Sequence, residues 1–333
     1  MGRYLARRIL QFIPTLLGAL FILHYLMTLG IQLNGDPARA VFGDRTPTES
    51  QLRAMQELFG TDDPCFQRTG DPCLGVFVER LGNMAHGDFG VDSRERPVLT
   101  LIAEHAPITA RLALIAILIE LLAGITAGVL AGLRGGSFWD YLVKISTTLL
   151  ISIPIFVLGS LSQLYLGVEF GSWLRRSGVS SALSDPFSIA YRPEKPWSSL
   201  LLPGLVLATL ALATTARLTR TSLMENLRGD YVRTATAKGL TRGRVVGVHA
   251  LRNSLIPVVT NLGISFGGLL AGAVVTEGIF NIRGIGGLVF GAVRFGEAAT
   301  VVSVVTILVL VYLLFNLIVD VLYAVLDPRI RLD

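Results

Sequence analysis

Residues Pro107–Leu133 read PITARLALIAILIELLAGITAGVLAGL, a stretch in which Arg111 and Glu120 are the only charged side chains. The hydrocarbon core of a bilayer is about 30 Å thick, and a helix needs roughly 20 consecutive apolar residues to cross it. This stretch is therefore long enough and apolar enough to span a membrane. Five other runs have the same character; they are Ile9–Leu29, Ile145–Val168, Leu200–Ala216, Leu255–Thr276 and Val301–Leu326. Together the six runs predict an all-α membrane protein with about six transmembrane helices.

The composition of the chain agrees with a membrane location. Hydrophobic residues make up 52% of the 333 positions and charged residues only 16%, whereas soluble domains carry charge on about a quarter of their residues. The net charge of +5 is explained by basic cytoplasmic loops. We therefore expect the lipid bilayer as a partner and no nucleic acid.

The start of the chain has two interpretations. Arg3, Arg7 and Arg8 precede an apolar run, which is the pattern of a secretory signal peptide. The run Ile9–Leu29 is too long for the core of a signal peptide, and no cleavage pattern of small residues follows it before Gly35. We expect an uncleaved first helix whose N-terminus lies in the cytoplasm.

The distribution of charge predicts the orientation of the other segments. Short cytoplasmic loops carry an excess of Lys and Arg, and residues 217–252 hold eight basic residues against Glu225 and Asp230. The segment Ile31–Thr100 instead holds eleven acidic residues and seven arginines. We expect the protein in the cell (inner) membrane, with the basic loop on the cytoplasmic side and the acidic segment on the outer side. Six crossings then return the C-terminal tail, from Asp327 onward, to the cytoplasm.

These assignments divide the chain into three parts. Residues 1–30 form the N-terminal tail and the first transmembrane helix, and residues 31–105 form a small extracytoplasmic segment. Residues 106–333 form a membrane core with five transmembrane helices and a cytoplasmic loop at 217–253.

The extracytoplasmic segment contains a helix signal and both cysteines. Thr46 and Thr48 are candidate caps for a short amphipathic helix that ends at Gly60. Cys65 and Cys73 lie on the side of the membrane where disulfides persist. A bridge between them stabilises the segment by about 2–3 kcal/mol, and two free thiols are the alternative. We expect no metal site, because two thiols without a nearby histidine supply too few ligands.

The third and fifth runs indicate packed or bent helices. Pro154 lies within the third run among hydroxyl and glycine residues, and a proline at such a position favours a kink. In the fifth run the pairs Gly263/Gly267 and Gly268/Gly272 have the spacing of small residues that let helices approach closely. This spacing predicts a tightly packed helix interface.

The cytoplasmic loop is the most informative segment for function. Breaks at Gly229 and Gly239 separate stretches of helix-forming residues, so two short helices are expected. Ala235, Ala237 and Leu240 give the first of them a small apolar face that suits a groove in another protein. The alternative is a solvated basic loop that does no more than obey the positive-inside rule.

The sequence of this loop resembles a known family. Residues Asp230–Leu240 read DYVRTATAKGL, and HALRNSLIP follows from His249. Both stretches resemble the cytoplasmic loop of ABC-importer permeases, most closely the B-type subunit of dipeptide and oligopeptide importers. Other motifs that resemble this family occur along nearly the whole chain; they are Gly35–Ala38, Gly87–Gly90, Ser152–Phe156, Glu277–Phe280, Gly284–Gly286, Asp320–Tyr323 and Asp327–Arg329. The general signature opens Glu-Ala-Ala where this chain has Arg233-Thr234-Ala235, a departure that peptide-importer permeases also show.

The resemblance implies a type I ABC-importer permease fold and a set of partners. These are a second homologous permease, two cytoplasmic ATPase subunits, an extracytoplasmic peptide-binding protein and a peptide substrate. The chain contains no Gly-x-x-x-x-Gly-Lys-Ser/Thr motif, so ATP and Mg²⁺ are expected in the ATPase subunits and no cofactor in this chain, which is not itself an enzyme. The expected ATPase-coupling residues are Arg233, Thr234, Ala235, Thr236, Ala237, Lys238, Gly239 and Leu240.

Three residues are candidates for the translocation pathway or its gate: Glu120, Pro154 and Glu277. An ionisable group inside a bilayer is costly and is usually placed against protein or water. Glu120 is either a pathway residue that contacts a peptide amine or a hydrogen-bonded structural acid. Glu277 is either a gate residue or the partner of Arg283 in a local ion pair.

Other transport functions remain alternatives at this stage. An ion-coupled secondary transporter would use Glu120 as its coupling group, although such proteins need no docking loop. Within ABC import, the substrate alternatives to a peptide are nickel complexes and glutathione.

The external placement of Ile31–Thr100 predicts how its cysteines react in intact cells. Cys65 and Cys73 should resist a membrane-impermeant alkylating reagent until reductant is added, because the outside of the cell permits the bridge. Mass spectrometry of the labelled protein measures this. Equal labelling with and without reductant contradicts the bridge, and labelling only after permeabilisation contradicts the topology.

Overall fold

The computed structural model describes residues 2–92, 94–294 and 297–326, and most of these residues lie in helices. Within them, β-structure is limited to an isolated bridge between Val91 and Pro97. The expected cytoplasmic tail from Asp327 lies outside the described residues. The chain forms two compact units, one of Met1–Pro107 with Arg283–Asp333 and one of Ile108–Ile282. The division of the chain at residues 30 and 105 stays a prediction.

The α-helices follow one another in this order: α1 (Gly2–Asn34), α2 (Pro37–Ala40), α3 (Glu49–Phe59), α4 (Leu74–Ala85), α5 (Val98–Ile119), α6 (Ile125–Leu133), α7 (Phe138–Ser152), α8 (Ile155–Leu161), α9 (Gly171–Arg176), α10 (Ser181–Ser184), α11 (Leu201–Leu227), α12 (Asp230–Ala237), α13 (Arg242–Arg244), α14 (Arg252–Ile279), α15 (Ile285–Arg294) and α16 (Ala298–Leu326). Segments of π-helix join some of them; they are Glu120–Gly124, Ser162–Phe170 and Val245–Leu251. Short 3₁₀ turns occupy Pro64–Gln67, Asp185–Phe187 and Ser198–Leu200.

Six stretches of the described residues are long and apolar enough to cross a membrane, as the sequence predicted. They are Ile9–Asn34, Val98–Leu133, Ile155–Arg176, Ser198–Leu227, Arg242–Ile279 and Thr300–Ile318. The fourth stretch extends well past the apolar run that ends at Ala216, because α11 continues to Leu227. Arg217 and Arg220 therefore belong to the membrane-entering helix α11.

Local hydrogen bonds hold the segment that follows α1 in the first unit. Thr48 caps α3 in a reciprocal arrangement with Gln51, and Gly60 ends the helix with a φ of 60°, which is the left-handed conformation that favours glycine. Asp36 caps α2 and accepts hydrogen bonds from the Gln56 amide and, at 3.2 Å, from the Thr61 hydroxyl. The predicted helix and its cap at Thr48 are confirmed.

The cysteines of this unit are bridged. Cys65 and Cys73 form a disulfide with their Cα atoms 5.5 Å apart. The bridge packs in an apolar cluster with Met27 and Ile31 of α1. His24, which is buried on the same helix, lies 3.2 Å from the carbonyl oxygen of Cys73. The short loop is therefore fixed to α1 by both apolar and polar contacts.

The second unit is built around α11. This helix packs against α6, α7 and α14, and it is the most buried of the six spanning stretches. Small and apolar residues occupy most sides of α11, a composition that suits a helix surrounded by protein. The core of the unit includes Leu207 from α11, Leu112 and Ala116 from α5, and Leu269 from α14.

A glycine ladder brings α6 against α11. Gly124, Gly128 and Gly132 recur every fourth residue and face α11 positions that also recur every fourth residue, at Thr215, Thr219 and Leu223. A Cβ atom built on Gly128 would lie 2.5 Å from the Thr219 Cβ and 2.6 Å from the Ala216 carbonyl oxygen. Only glycine allows this separation of the two backbones. The sequence analysis did not single out this ladder.

The glycine pairs that were predicted to form an interface lie on α14. A Cβ atom on Gly272 would be 3.0 Å from the Leu207 Cδ1 atom, so this residue does approach α11. A Cβ atom on Gly268 would have no neighbour within 4 Å in this chain. On α14, the close approach to α11 is therefore shown at Gly272 and not at Gly268.

The ladder predicts a sharp difference between two glycine substitutions. Gly128→Ala should destabilise the protein by about 1–3 kcal/mol, because the helices must move apart to admit the methyl group. Gly268→Ala is the matched control, since the added methyl group meets no atom of the chain. Thermal unfolding of the detergent-solubilised variants measures the difference. Equal melting temperatures would contradict the ladder as a packing constraint.

Candidate coupling site

The site is built on the short helix α12 and the glycines that flank it, Gly229 and Gly239. Gly229, in an extended conformation, precedes the helix, and Lys238 ends it. Gly239 then adopts a φ of 79°, and its N–H donates to the Thr236 carbonyl oxygen at 3.0 Å. A Cβ atom at Gly239 would meet nothing within 4 Å, so the backbone conformation alone requires glycine. The break that the sequence predicts at Gly239 is confirmed.

One face of α12 packs on the unit to which it belongs. Val232 and Ala235 are only 7% and 6% exposed, and they form a cluster with Leu223 of α11, Val245 and Ala250. A helix of eight residues is marginal in water when it stands alone, so this cluster holds α12 in place. The expectation that Ala235 lies on the free face is therefore wrong, and Leu240 also packs partly against this cluster.

The opposite face of α12 is exposed. We define the coupling surface as the exposed residues of the predicted set; they are Arg233, Thr234, Thr236, Ala237, Lys238 and Gly239. Arg233 lies 3.3 Å from Asp230, but both side chains are largely exposed, so this pair adds little stability. The surface combines two cations with small side chains, which permits a close approach by another protein.

A largely buried ion pair lies between α7 and α11. Asp140 is fully buried and accepts hydrogen bonds from both Nε and Nη2 of Arg220, the second at 3.0 Å. Lys144 Nζ is 3.0 Å away, and the Gly136 N–H donates at 2.8 Å. Hydrogen bonds from Arg220 hold the pKa of Asp140 well below its usual range, and they outweigh the opposing effect of burial.

Sequence reasoning did not single out Asp140. The available signal was an acid just after Ser137, where a helix begins, with Lys144 four residues further on. The adjacent Arg217 also reaches α7, and its Nη2 donates to the Thr148 hydroxyl at 2.7 Å. These arginines satisfy specific partners and are not simply solvated loop charges.

Glu120 lies deep in the second unit and not on its surface. It opens the π-helical segment between α5 and α6, is fully buried, and accepts a 2.7 Å hydrogen bond from the Thr215 hydroxyl. The Asn261 amide donates to the same hydroxyl at 3.3 Å. This placement favours the structural interpretation, and a pathway role for Glu120 stays a prediction.

The other two pathway candidates lie apart from Glu120. Glu277 is buried near the C-terminal end of α14 and accepts a 2.7 Å hydrogen bond from the Thr109 hydroxyl. Pro154 is exposed and separates α7 from α8, with Ile153 in an extended conformation before it. A residue that precedes proline is driven out of the helical region, so the predicted break is confirmed. No group of three or more potential metal ligands occurs within the described ranges.

Comparison with known proteins places the chain in a family. Residues 124–332 match the family described as binding-protein-dependent transport system inner membrane component. This match includes the glycine ladder, the Asp140–Arg220 pair and the coupling surface. The chain belongs to this family of inner-membrane transport subunits.

Relatives cover almost all of the chain. The dipeptide transport system permease protein DppB of Alkalihalophilus pseudofirmus is 32% identical, with 99% of this chain and 100% of the relative covered. The di/tripeptide transport system permease protein DppB of Pseudomonas aeruginosa is 36% identical, with 99% of both covered. The glutathione transport system permease protein GsiC of Escherichia coli is 34% identical, again with 99% of both covered.

The conformation of Gly239 predicts the stability of two variants. Gly239→Val should destabilise the loop by about 1–3 kcal/mol, because a β-branched residue resists a positive φ. Gly239→Asn should cost less, since asparagine visits this region more readily. Thermal unfolding and limited proteolysis of the loop measure the effect. Indistinguishable behaviour of the Val and Asn variants would contradict a requirement set by φ.

Proposed function

We propose that this chain forms half of the translocation pathway of an ATP-driven importer of dipeptides or oligopeptides. Two relatives that align over 99% of the chain are named as dipeptide or di/tripeptide permeases. Six spanning stretches supply the membrane-crossing helices that such a pathway needs. Family membership favours this function over the ion-coupled secondary transporter.

The proposed assembly contains a second homologous permease, two cytoplasmic ATPase subunits and an extracytoplasmic peptide-binding protein. ATP and Mg²⁺ would bind to the ATPase subunits, so this chain would contribute no catalytic residue. The chain would lie in the inner membrane with both termini in the cytoplasm. That orientation puts α12 on the side of the ATPases and Ile31–Thr100 on the side of the binding protein.

One observation carries the coupling role, namely the two-faced packing of α12. Its inner face is fixed to α11 through Val232 and Ala235, while the coupling surface is free. A simple solvated loop needs no such anchor. A docking element does need one, because a force applied to its outer surface must reach the transmembrane helices.

A second candidate substrate is glutathione, because a glutathione permease is 34% identical over nearly the full length. The two substrates are separated by uptake into proteoliposomes that contain the purified complex and its binding protein. Dipeptide uptake that excess glutathione does not inhibit supports the peptide assignment. Glutathione uptake without dipeptide uptake contradicts it.

A matched pair of alanine variants tests the coupling surface. Ala237→Arg should leave the chain folded and inserted but reduce ATPase binding by about 2 kcal/mol or more, the range of a central interface residue. Ala235→Arg should instead lower the yield of folded protein, because the same side chain would enter the buried cluster. Co-purification of the ATPase subunits and thermal unfolding of the permease separate the two effects. Normal ATPase binding by Ala237→Arg would contradict the proposed docking face.

A further inference from the structure

The Asp140–Arg220 pair connects two helices that the chain sequence separates widely. Asp140 lies in the first turn of α7, and Arg220 lies in the last two turns of α11. Two nitrogens of the guanidinium group bind the two carboxylate oxygens, and the carboxylate is completely buried. Bidentate charge-assisted bonds of this kind define orientation as well as distance. The N-terminal end of α7 therefore moves together with α11.

The same turn of α11 also carries the coupling loop. Leu223 follows Arg220 by three residues and is fully buried in the cluster with Val232 and Ala235 of α12. Residues three apart on a helix are neighbours on its surface. A displacement of α12 therefore reaches the helix turn that holds Arg220 through packed side chains.

The C-terminal end of α8 is attached to α14. The Gln163 amide, just beyond α8, donates a 3.1 Å hydrogen bond to the carbonyl oxygen of Ile279 at the end of α14. A Cβ atom on Gly159 would lie 3.0 Å from the Ile279 Cδ1 atom of α14 and 3.6 Å from the Val206 Cγ1 atom of α11, so the closest approach of α8 at this position is to α14. Between the two attachments, the helix is interrupted at Ile153 and Pro154.

We propose that Asp140 and Arg220 are positioning residues that transmit movement of the coupling loop to α7, with the break at Ile153–Pro154 as the hinge. In this arrangement α7 moves with α11 and α12, while α8 stays with the outer end of α14. The proposal rests on the proposed function, since it requires ATPase subunits that move α12. In this role the ion pair acts through the position of α7, and neither residue contacts substrate or ATP.

The test uses the complete purified importer in proteoliposomes and measures peptide uptake per ATP hydrolysed. Asp140→Asn should assemble with the ATPases, yet its ratio of uptake to hydrolysis should fall about fivefold or more, the lower range of coupling between distant sites. Arg217→Gln is the matched control, because this arginine also joins α11 to α7 but donates to threonine hydroxyl groups and not to a buried carboxylate. Its ratio should stay at the wild-type value. Pro154→Ala should also lower the ratio, because it permits a continuous helix across the hinge.

A purely structural role predicts a different result. If the pair is only structural, its loss lowers the amount or the melting temperature of the complex and leaves the ratio of uptake to hydrolysis unchanged in the assembled fraction. An unchanged ratio overturns the proposal. If Asp140→Asn does not assemble, the ratio is measured on the double variant Asp140→Asn/Arg220→Gln, because that variant does not leave Arg220 buried without its partner. Arg220→Lys, which keeps the charge but loses the two-pronged contact, is the third variant. Failure of all three to assemble assigns the pair to folding alone and also overturns the proposal.

The two proposals fail in distinguishable ways. A wild-type complex in which loaded binding protein does not stimulate ATP hydrolysis overturns the proposed function. A wild-type complex that is stimulated, together with an Asp140→Asn complex of normal ratio, overturns only the role of the ion pair.

Discussion

The close approach of α6 to α11 is the contact on which the second unit depends. Gly124, Gly128 and Gly132 leave no side chain between the two backbones. Lipid tails are as apolar as leucine, so helices in a bilayer associate through such packing and not through a simple hydrophobic effect. The contact makes α11 the centre of the unit, with α7 and α14 on its other sides. Every functional feature of this unit is then placed relative to that one helix.

The buried polar groups specify which helices become neighbours. An unpaired charge or hydroxyl group is costly in a medium without water, so each acid takes a partner from a different helix. Asp140 binds Arg220, Glu120 binds Thr215, and Glu277 binds Thr109. These bonds connect α7 and the π-helical segment after α5 to α11, and α14 to α5. Apolar packing alone accepts many arrangements of similar helices, whereas directional bonds favour one register.

The loop that follows α11 combines a fixed position with an exposed surface. Helix α12 has only eight residues, and its place depends on Val232 and Ala235 beneath it. The left-handed Gly239 then turns the chain toward α13 without a steric conflict. Because the anchor is on α11, the loop is mechanically part of the transmembrane bundle. A partner that binds the exposed side therefore acts on the spanning helices through short-range packing.

Local sequence was sufficient for the six apolar runs, the cap at Thr48, the turn at Gly239 and the break before Pro154. Each of these depends on run length or on the backbone preference of one or two residues. Only the tertiary structure decided that α11 continues through Arg220, because the partner that satisfies this cation lies on α7. Only the tertiary structure decided which side of α12 is free. Ala235 and Ala237 are chemically identical and lie two positions apart, on nearly opposite sides of a helix. Their local preferences are the same, so it is packing against Leu223 and Ala250 that determines which alanine is buried. These two residues lie outside α12 in the sequence but in the same cluster as Ala235.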